Sequence, residues 1–326
     1  MITLTKLLRL PSTALALFLT QTLAPNLAPA QVEGPQPTQS LVTVTSNAPA
    51  QLQPSDLTVD LNGKSSPVTS LQPLAPDRTQ VAILMDDGLR TSIAVQLDDL
   101  RRFIQALPAG TEVFVGYMSN GRVTSAQPFT RNLAAAAASL RIPFGSPGIS
   151  ASPYFCLSEF AKNWPTREVA YGAPPSAPGR KARFVLMLTS GVDPYNGSVS
   201  PLNQNSPYVQ NAITDAQRAG VIVSSIYYGD AGIRGAAANF SGQSYLGQVA
   251  EATGGESYWN GQGNPVSLAP YLARFAKDIS QTYVASFIAR PSRDPLRLKV
   301  KAHRSGLKVR SPALVRTGAT VTSSGQ

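Results

Sequence analysis

The segment "QVAILMDDGLRTS", from Gln80 to Ser92, indicates most directly how this chain folds. Its first half is a continuous apolar run, which is typical of a strand buried on both faces of a sheet. Two carboxylates, Asp86 and Asp87, follow directly, and then a glycine, an arginine and two hydroxyl residues. Because hard cations prefer such oxygen ligands, the first interpretation of this loop is a metal site.

The flanking sequence predicts an α/β fold. Residues 92–107 place apolar side chains at helical spacing, and a second buried strand, "RFVLMLTSG", covers 183–191. Strands that alternate with helices imply crossover connections and a mostly parallel, doubly wound sheet with helices on both faces. The strand at 123–127 follows its predecessor through a tight turn, so we expect one antiparallel edge strand. This domain is predicted to span residues 78–282.

The beginning of the chain has the pattern of a secretory signal peptide. Lys6 and Arg9 precede an apolar stretch, and small residues at 28–30 predict cleavage after Ala30. We therefore expect a secreted or periplasmic protein without a transmembrane span, because the apolar part is too short to cross a bilayer. A buried N-terminal helix is the alternative interpretation.

The two ends of the chain predict a small β module. Residues 31–77 contain a polar leader and the alternating segments "LVTVTS" and "LTVDLNG", which are typical of half-buried strands. The same alternation returns in residues 283–316, so we expect these late strands to pack with the N-terminal module. Residues 317–326 are predicted to form a disordered tail.

Most of the positive charge lies in one C-terminal segment. Residues 290–316 hold nine Lys or Arg and one acid, while the whole chain has a net charge of +10. If the two strands here pair as a hairpin, one basic face results, formed by Arg297, Lys299, Lys301, Lys308 and Arg310. That face predicts contact with a polyanion, such as an acidic glycan or anionic lipid; protection of a sheet edge is the alternative.

The inventory of reactive side chains argues against an enzyme. Cys156 and His303 are the single cysteine and histidine, so a zinc site or a Ser-His-Asp triad lacks most of its residues. Neither a nucleotide-binding glycine motif nor an aromatic-rich basic patch is present, so we expect no nucleotide or nucleic-acid partner. A hydrolase that uses Asp86 or Asp87 stays open as an alternative. Asp98 and Asp99 are predicted to lie on a solvated helical face, where they form local ion pairs.

Several motifs taken together resemble one known family. These are, in order, "VAILMDDGL", "LPAGTEVFVGYMSNGRV", "FVLMLTSGVDPY", "DAQRAGVIVSSIYYGD" and "LGQVAEATGGESYW". In order and spacing they resemble a von Willebrand factor A (vWA) domain, in particular the bacterial secreted VWFA-related proteins of acidobacterial type. The resemblance covers most of residues 40–316. It implies a Rossmann-like fold, but these motifs are not specific for an activity. The function we expect is non-catalytic protein binding, in adhesion or assembly.

The family's metal-ion-dependent adhesion site is degenerate in this chain. The resemblance places Asp86 at the first aspartate, whereas Gly88 and Arg90 stand at the two serine positions. Ser150 falls at the threonine position and Ser190 replaces the aspartate of the family's "TDG" motif. With one carboxylate left, we expect neither Mg²⁺ nor another cofactor, because Mg²⁺ gives up its water reluctantly. Metal-dependent adhesion through shifted ligands, such as Asp87, Ser92 or Asp193, stays open.

The loops after the strands are the predicted partner-binding surface, and the partner is expected to be another envelope or extracellular protein. One hypothesis is that the guanidinium of Arg90 occupies the cation position, pairs with Asp86 or Asp87, and recognises a carboxylate directly. The predicted contact residues are Asp86, Asp87, Arg90, Ser92, Ser150, Ser190, Asp193 and Tyr195.

Overall fold

The computed structural model describes residues 34–46, 51–146, 151–165, 180–195, 205–229, 235–259 and 261–321. The predicted signal peptide, its cleavage point and Ser150 lie outside the described residues. The strands that the structure describes are β1 (Gln36–Ser46), β2 (Leu57–Leu61), β3 (Lys64–Pro73), β4 (Thr79–Asp86), β5 (Glu112–Ser119), β6 (Arg122–Thr130), β7 (Ala182–Thr189), β8 (Val221–Tyr227), β9 (Thr282–Ala289), β10 (Leu296–Ala302), β11 (Leu307–Arg310) and β12 (Leu314–Val315). The α-helices are α1 (Leu97–Ala106), α2 (Leu133–Ala138), α3 (Pro153–Lys162), α4 (Pro207–Ala219), α5 (Gly235–Thr253) and α6 (Ala269–Ser280).

A five-stranded sheet in the order β6-β5-β4-β7-β8 forms the centre of the α/β part. Strand β4 pairs in parallel with β5 and β7, and β7 pairs in parallel with β8. Strand β6 returns antiparallel to β5 through a turn in which Asn120 and Gly121 both have positive φ. That conformation suits the Asn-Gly sequence, because these two residues tolerate it best. The predicted α/β fold is thereby confirmed.

Helices cover both faces of this sheet, because β4 sends alternate side chains to opposite sides. Val81, Ile83 and Met85 join one core, which packs against α1, α2 and α6. Ala82 and Leu84 join a second core, which packs against α3, α4 and α5. Every residue of β4 is buried, which explains why its sequence is a continuous apolar run rather than an alternating one.

The β module is larger than predicted. It is an antiparallel sheet of seven strands, in the order β11-β1-β9-β3-β2-β10-β12. The two ends of the chain interleave in it, since β9 from the C-terminal part lies between β1 and β3 from the N-terminal part. Over the whole described chain the strands are therefore mixed in direction. Leu41 and Val284 of this sheet join the core beneath α1 and α6, and the described residues pack as one compact unit.

The predicted C-terminal hairpin is wrong. Strand β10 pairs with β2 and β12, whereas β11 pairs with the end of β1. Each strand thus gains a long-range partner whose apolar side chains extend one common core, and burial of that apolar surface outweighs the shorter loop of a local hairpin. Residues 317–321, the described part of the predicted tail, are ordered. Gly318 donates a backbone hydrogen bond to Thr38, and Val321 is buried.

Contrary to the prediction from the sequence, Asp99 does not lie on a wholly solvated face of the first helix. Its carboxylate accepts hydrogen bonds from the hydroxyl of Ser267 and the backbone N–H groups of Leu268 and Ala269, at 2.7–3.2 Å. It therefore caps the beginning of α6 from a different helix. Burial alone would raise the pKa of Asp99, but the hydrogen bonds from Ser267, Arg102 and the two backbone groups hold this pKa below its ordinary value.

We expect Asp99→Ala to lower the free energy of unfolding by about 1 kcal/mol at neutral pH, as for other helix caps. Because the folded-state pKa lies below the unfolded value, this stabilisation is fully present above the unfolded pKa and is lost as the pH falls through the folded one. Urea unfolding from pH 7 to pH 3 measures the difference. The matched control is Asp98→Ala, since Asp98 makes an exposed ion pair in the same helical turn; equal losses in both variants would contradict the capping role.

Candidate functional site

The parallel strands end at one edge of the sheet, and we call the segments gathered there the crest. The crest comprises residues 86–96, 140–146, 189–195, 227–229, 240–242 and 264–267. Backbone hydrogen bonds join these segments: Gly145 donates to the Asp87 carbonyl at 3.0 Å, and Tyr228 donates to the Thr189 carbonyl at 3.0 Å. A side chain at Gly242 would overlap the Ser190 carbonyl, so this glycine permits the close approach of α5.

Asp86 links two adjacent strands at the crest. Its carboxylate accepts one hydrogen bond from the backbone N–H of Gly88 and one from the hydroxyl of Thr189, both at 2.8 Å. Asp86 is 2% exposed. The carboxylate therefore holds the loop after β4 against the end of β7, and each of its oxygens accepts a hydrogen bond inside the protein.

Asp87 is the acidic half of an ion pair that the sequence analysis missed. Arg141 donates two hydrogen bonds to the Asp87 carboxylate, at 2.7 Å each. The guanidinium also lies over the rings of Tyr117 and Phe144, 3.7 Å and 4.3 Å from their centroids. The hydrogen bonds from Arg141 to Asp87 are the main reason why the pKa of Arg141 is raised. No spacing pattern in the sequence connects two residues that are 54 positions apart.

Arg90 does not occupy the predicted cation position. Its side chain is exposed, while its backbone N–H donates to the Gly229 carbonyl at 3.3 Å. The preceding residue, Leu89, is completely buried, so the turn sends residue 89 inward and residue 90 outward. The hypothesis that Arg90 pairs with Asp86 or Asp87 is therefore wrong, since Asp86 bonds to Thr189 and Asp87 pairs with Arg141.

The remaining predicted contact residues divide by burial. Ser190 and Asp193 are 3% and 4% exposed, and Asp193 accepts a hydrogen bond from Ser206, the N-cap of α4, at 2.6 Å. Ser92 is exposed and shares a hydrogen bond with Tyr228 at 3.2 Å. Tyr195 is 53% exposed. Hence four of the predicted contact residues are buried: Asp86, Asp87, Ser190 and Asp193. The prediction that they contact a partner directly is corrected, because they organise the crest from within.

The described residues of this site do not fit a bound Mg²⁺. Its first ligand would be Asp86, whose oxygens already accept hydrogen bonds from Thr189 and Gly88. The candidates for shifted ligation are engaged as well, Asp87 with Arg141 and Asp193 with Ser206. Within the described ranges, no three His, Cys, Asp or Glu side chains are grouped so as to hold a metal ion.

The basic residues of the C-terminal strands do not form one face. Arg297, Lys299 and Lys301 are exposed along β10, and Lys301 lies 3.9 Å from the carboxylate of Asp60. Lys308 is exposed on β11, near the opposite edge of the sheet order. Arg310 points to the α/β part, where it pairs with Glu256 and with Asp278.

The architecture is similar to that of several solved proteins. The chain is similar to von Willebrand factor type A domains. Such a domain from Catenulispora acidiphila has 10% identity over 86% of this chain and 73% of that chain, with a TM-score of 0.40. An aerotolerance-related membrane protein from Bacteroides fragilis has 12% identity over 62% of this chain and 98% of that chain, with a TM-score of 0.38. The pilus adhesin SpaC from Lactobacillus rhamnosus GG, in its open conformation, has 11% identity over 81% of this chain and 41% of that chain, with a TM-score of 0.39.

The vWA resemblance seen in the sequence is thus also found among solved structures. No protein-family model matches the chain, and no curated protein matches it. Among the described helices, none is both long enough and apolar enough to cross a membrane.

The occupied Asp86 carboxylate predicts that divalent ions leave the protein's stability unchanged. We expect the same melting temperature in millimolar Mg²⁺, in Mn²⁺ and in chelator, because a ligand that does not bind the folded state cannot stabilise it. Thermal unfolding of the wild type and of Asp86→Asn measures this. A metal-dependent rise that Asp86→Asn abolishes would show that Asp86 does bind the ion.

The Asp87–Arg141 pair predicts a non-additive mutant cycle. We expect Arg141→Met to lower the free energy of unfolding by about 2–3 kcal/mol, because it leaves the buried Asp87 charge without its partner. The double variant Asp87→Asn/Arg141→Met should recover most of this loss. Urea unfolding measures the cycle, and Lys301→Met, which removes an exposed pair, serves as the control with an expected change of about 0.5 kcal/mol or less. An additive cycle would contradict the coupling.

Proposed function

We propose that this chain is a non-catalytic protein-binding module, acting in adhesion or assembly, whose crest contacts a partner protein without bound Mg²⁺. One observation carries the proposal. Among the described residues, six of the seven large apolar side chains that are exposed lie on the crest: Val95, Ile142, Phe144, Tyr195, Phe240 and Val266. The seventh, Ile288, is on β9.

This distribution favours a docking surface rather than chance exposure. Scattered apolar residues are normal on a protein surface, whereas a group of them on one edge marks an interaction site. Val266 and Val95 are 97% and 83% exposed, and Phe144 is 65% exposed. A partner that covers these side chains would gain the free energy of removing them from water. Aromatic side chains are also enriched at protein interfaces.

The crest is pre-organised for such contact. Phe144 rests on the guanidinium of Arg141, which Asp87 fixes with two hydrogen bonds. Tyr195 stacks on Phe155, with ring centroids 5.3 Å apart. Because these aromatic side chains are already supported in the free protein, binding would cost less conformational entropy. The buried carboxylates thus support the surface and do not belong to it.

The placement of the reactive groups supports a non-catalytic role. His303 lies beyond β10 and hydrogen-bonds to Thr58 in the β module, away from the crest. Cys156 is buried in α3, and this burial raises the pKa of its thiol. A thiol in that state is a poor nucleophile, because the thiolate is the reactive form.

We place the module outside the cytoplasm, secreted or periplasmic, on the strength of the signal-peptide pattern in residues 1–30. The partner would then be another envelope or extracellular protein.

The proposal predicts that negative charges introduced on the crest weaken binding of the partner protein. We expect Phe144→Asp and Tyr195→Asp each to weaken binding at least about tenfold, since aromatic anchors contribute most to interface affinity. Pull-down of partners from the native envelope by residues 31–326, followed by titration of the captured protein, measures the loss.

The matched control is Ile288→Asp, which places the same charge at the exposed apolar side chain outside the crest. It should bind like the wild type, and chelator should change nothing. Crest variants that melt like the wild type and still capture the same partner would overturn the proposal. Retention on heparin that is lost after charge reversal of Lys299 and Lys301 would instead favour polyanion binding through β10.

A further inference from the structure

A second feature lies at the edge of the α/β sheet opposite the crest, where β7 and β8 begin. A cavity of about 100 Å³ opens there between β1, the end of α4 and the segment 312–321. Four cationic side chains line it, namely Arg180, Lys181, Arg218 and Arg316, and its lining contains no acid. The cavity is therefore positively charged, although its surroundings belong to a well-packed part of the fold.

The positive charge of the cavity is only partly neutralised by the described part of the protein. Lys181 binds Glu112 at 2.6 Å, but no described acidic side chain pairs with Arg180. Arg183, which does not line the cavity, donates to the Ala219 carbonyl at 3.3 Å, and its Nε is buried without an acceptor among the described residues. Burial lowers the pKa of Arg180, and burial together with the charge of Arg180 lowers the pKa of Arg183 to about 10.

The guanidinium of Arg180 lies against Gly220, at the end of α4. The C-cap of α4 is Gly220, which has a φ of +56°, and a Cβ on this residue would overlap the Arg180 guanidinium. Glycine suits the left-handed turn and leaves room for the Arg180 guanidinium in its present position. The carboxyl end of α4 offers only a partial negative charge, roughly half an elementary charge, which is too little to balance two neighbouring guanidinium groups.

We propose that this cavity binds a small tetrahedral oxyanion, a phosphate or sulfate group, with Arg180 as the inner ligand and Arg218 and Arg316 at the rim. The fork of N–H donors on a guanidinium matches the oxygens of such a group. The cavity, of about 100 Å³, has room for one such group.

This site is independent of the proposed crest interaction, because it lies at the other edge of the sheet. It adds a ligand of defined chemistry to a protein that otherwise offers an apolar surface to its partner. The group is bound either as a free anion or as the end of a phosphate ester whose remaining part stays at the exposed rim.

Isothermal titration with inorganic phosphate, sulfate and glycerol 3-phosphate tests the proposal on residues 31–326, at constant ionic strength set with chloride. We expect the wild type to bind and Arg180→Gln to bind at least about tenfold more weakly, since a hydrogen bond to a charged group is lost. Arg218→Gln, at the exposed rim, should weaken binding less and serves as a second variant that leaves the interior intact. Arg122→Gln, on the distant edge strand β6, is the control of equal charge and should bind like the wild type.

Melting curves with and without phosphate separate binding from a structural role. Phosphate should raise the melting temperature of the wild type and of Arg122→Gln but not that of Arg180→Gln, because only a ligand bound to the folded state stabilises it. Equal affinity for glycerol 3-phosphate and inorganic phosphate would assign the end of an ester, and a preference for inorganic phosphate would assign the free anion; both support the site. No binding by the wild type, or equal binding by Arg180→Gln, would overturn it.

Discussion

The side chains of β4 point alternately into two cores, and this double burial constrains the rest of the structure. Parallel strands lie on both sides of β4, and helices cover it from above and below. Neighbouring segments surround the end of a strand in that position, so Asp86 and Asp87 are buried as well. Two carboxylates that leave a buried strand must be paired or hydrogen-bonded, because an isolated buried charge is very unfavourable.

The protein satisfies that requirement with its own donors. Asp86 accepts hydrogen bonds from the hydroxyl of Thr189 and the backbone of Gly88. Asp87 forms an ion pair with Arg141. The bonds from Thr189 and Arg141 each join the end of β4 and its loop to a different segment, so these interactions also hold the crest together. The guanidinium of Arg141 then extends this support to Phe144, an aromatic side chain at the surface.

The two edges of the central sheet differ in chemistry for a structural reason. At the crest, acidic side chains are inside and apolar ones are outside, which suits contact with a protein surface. At the opposite edge, Arg180 and Arg183 approach each other where β7 begins, beneath the chain ends that return through β1 and β12. The interleaving of the N-terminal and C-terminal strands in the seven-stranded sheet brings residues 312–321 to that edge and closes the cavity.

The sequence by itself determined the local elements and their order. The apolar run of β4, the spacing of α1 and the Asn120-Gly121 turn each act over a few residues, so their pattern predicts their structure. Tertiary structure decided the partners of Asp87, Asp99 and Arg310, which come from distant segments. It also placed β10 and β11 apart in the sheet, because their apolar faces are buried in one common core. In the same way, burial of Leu89 in the core turns the next residue, Arg90, to the solvent. A residue's spacing along the chain shows which face it shares with its neighbours, whereas the partner across that face depends on how the elements pack.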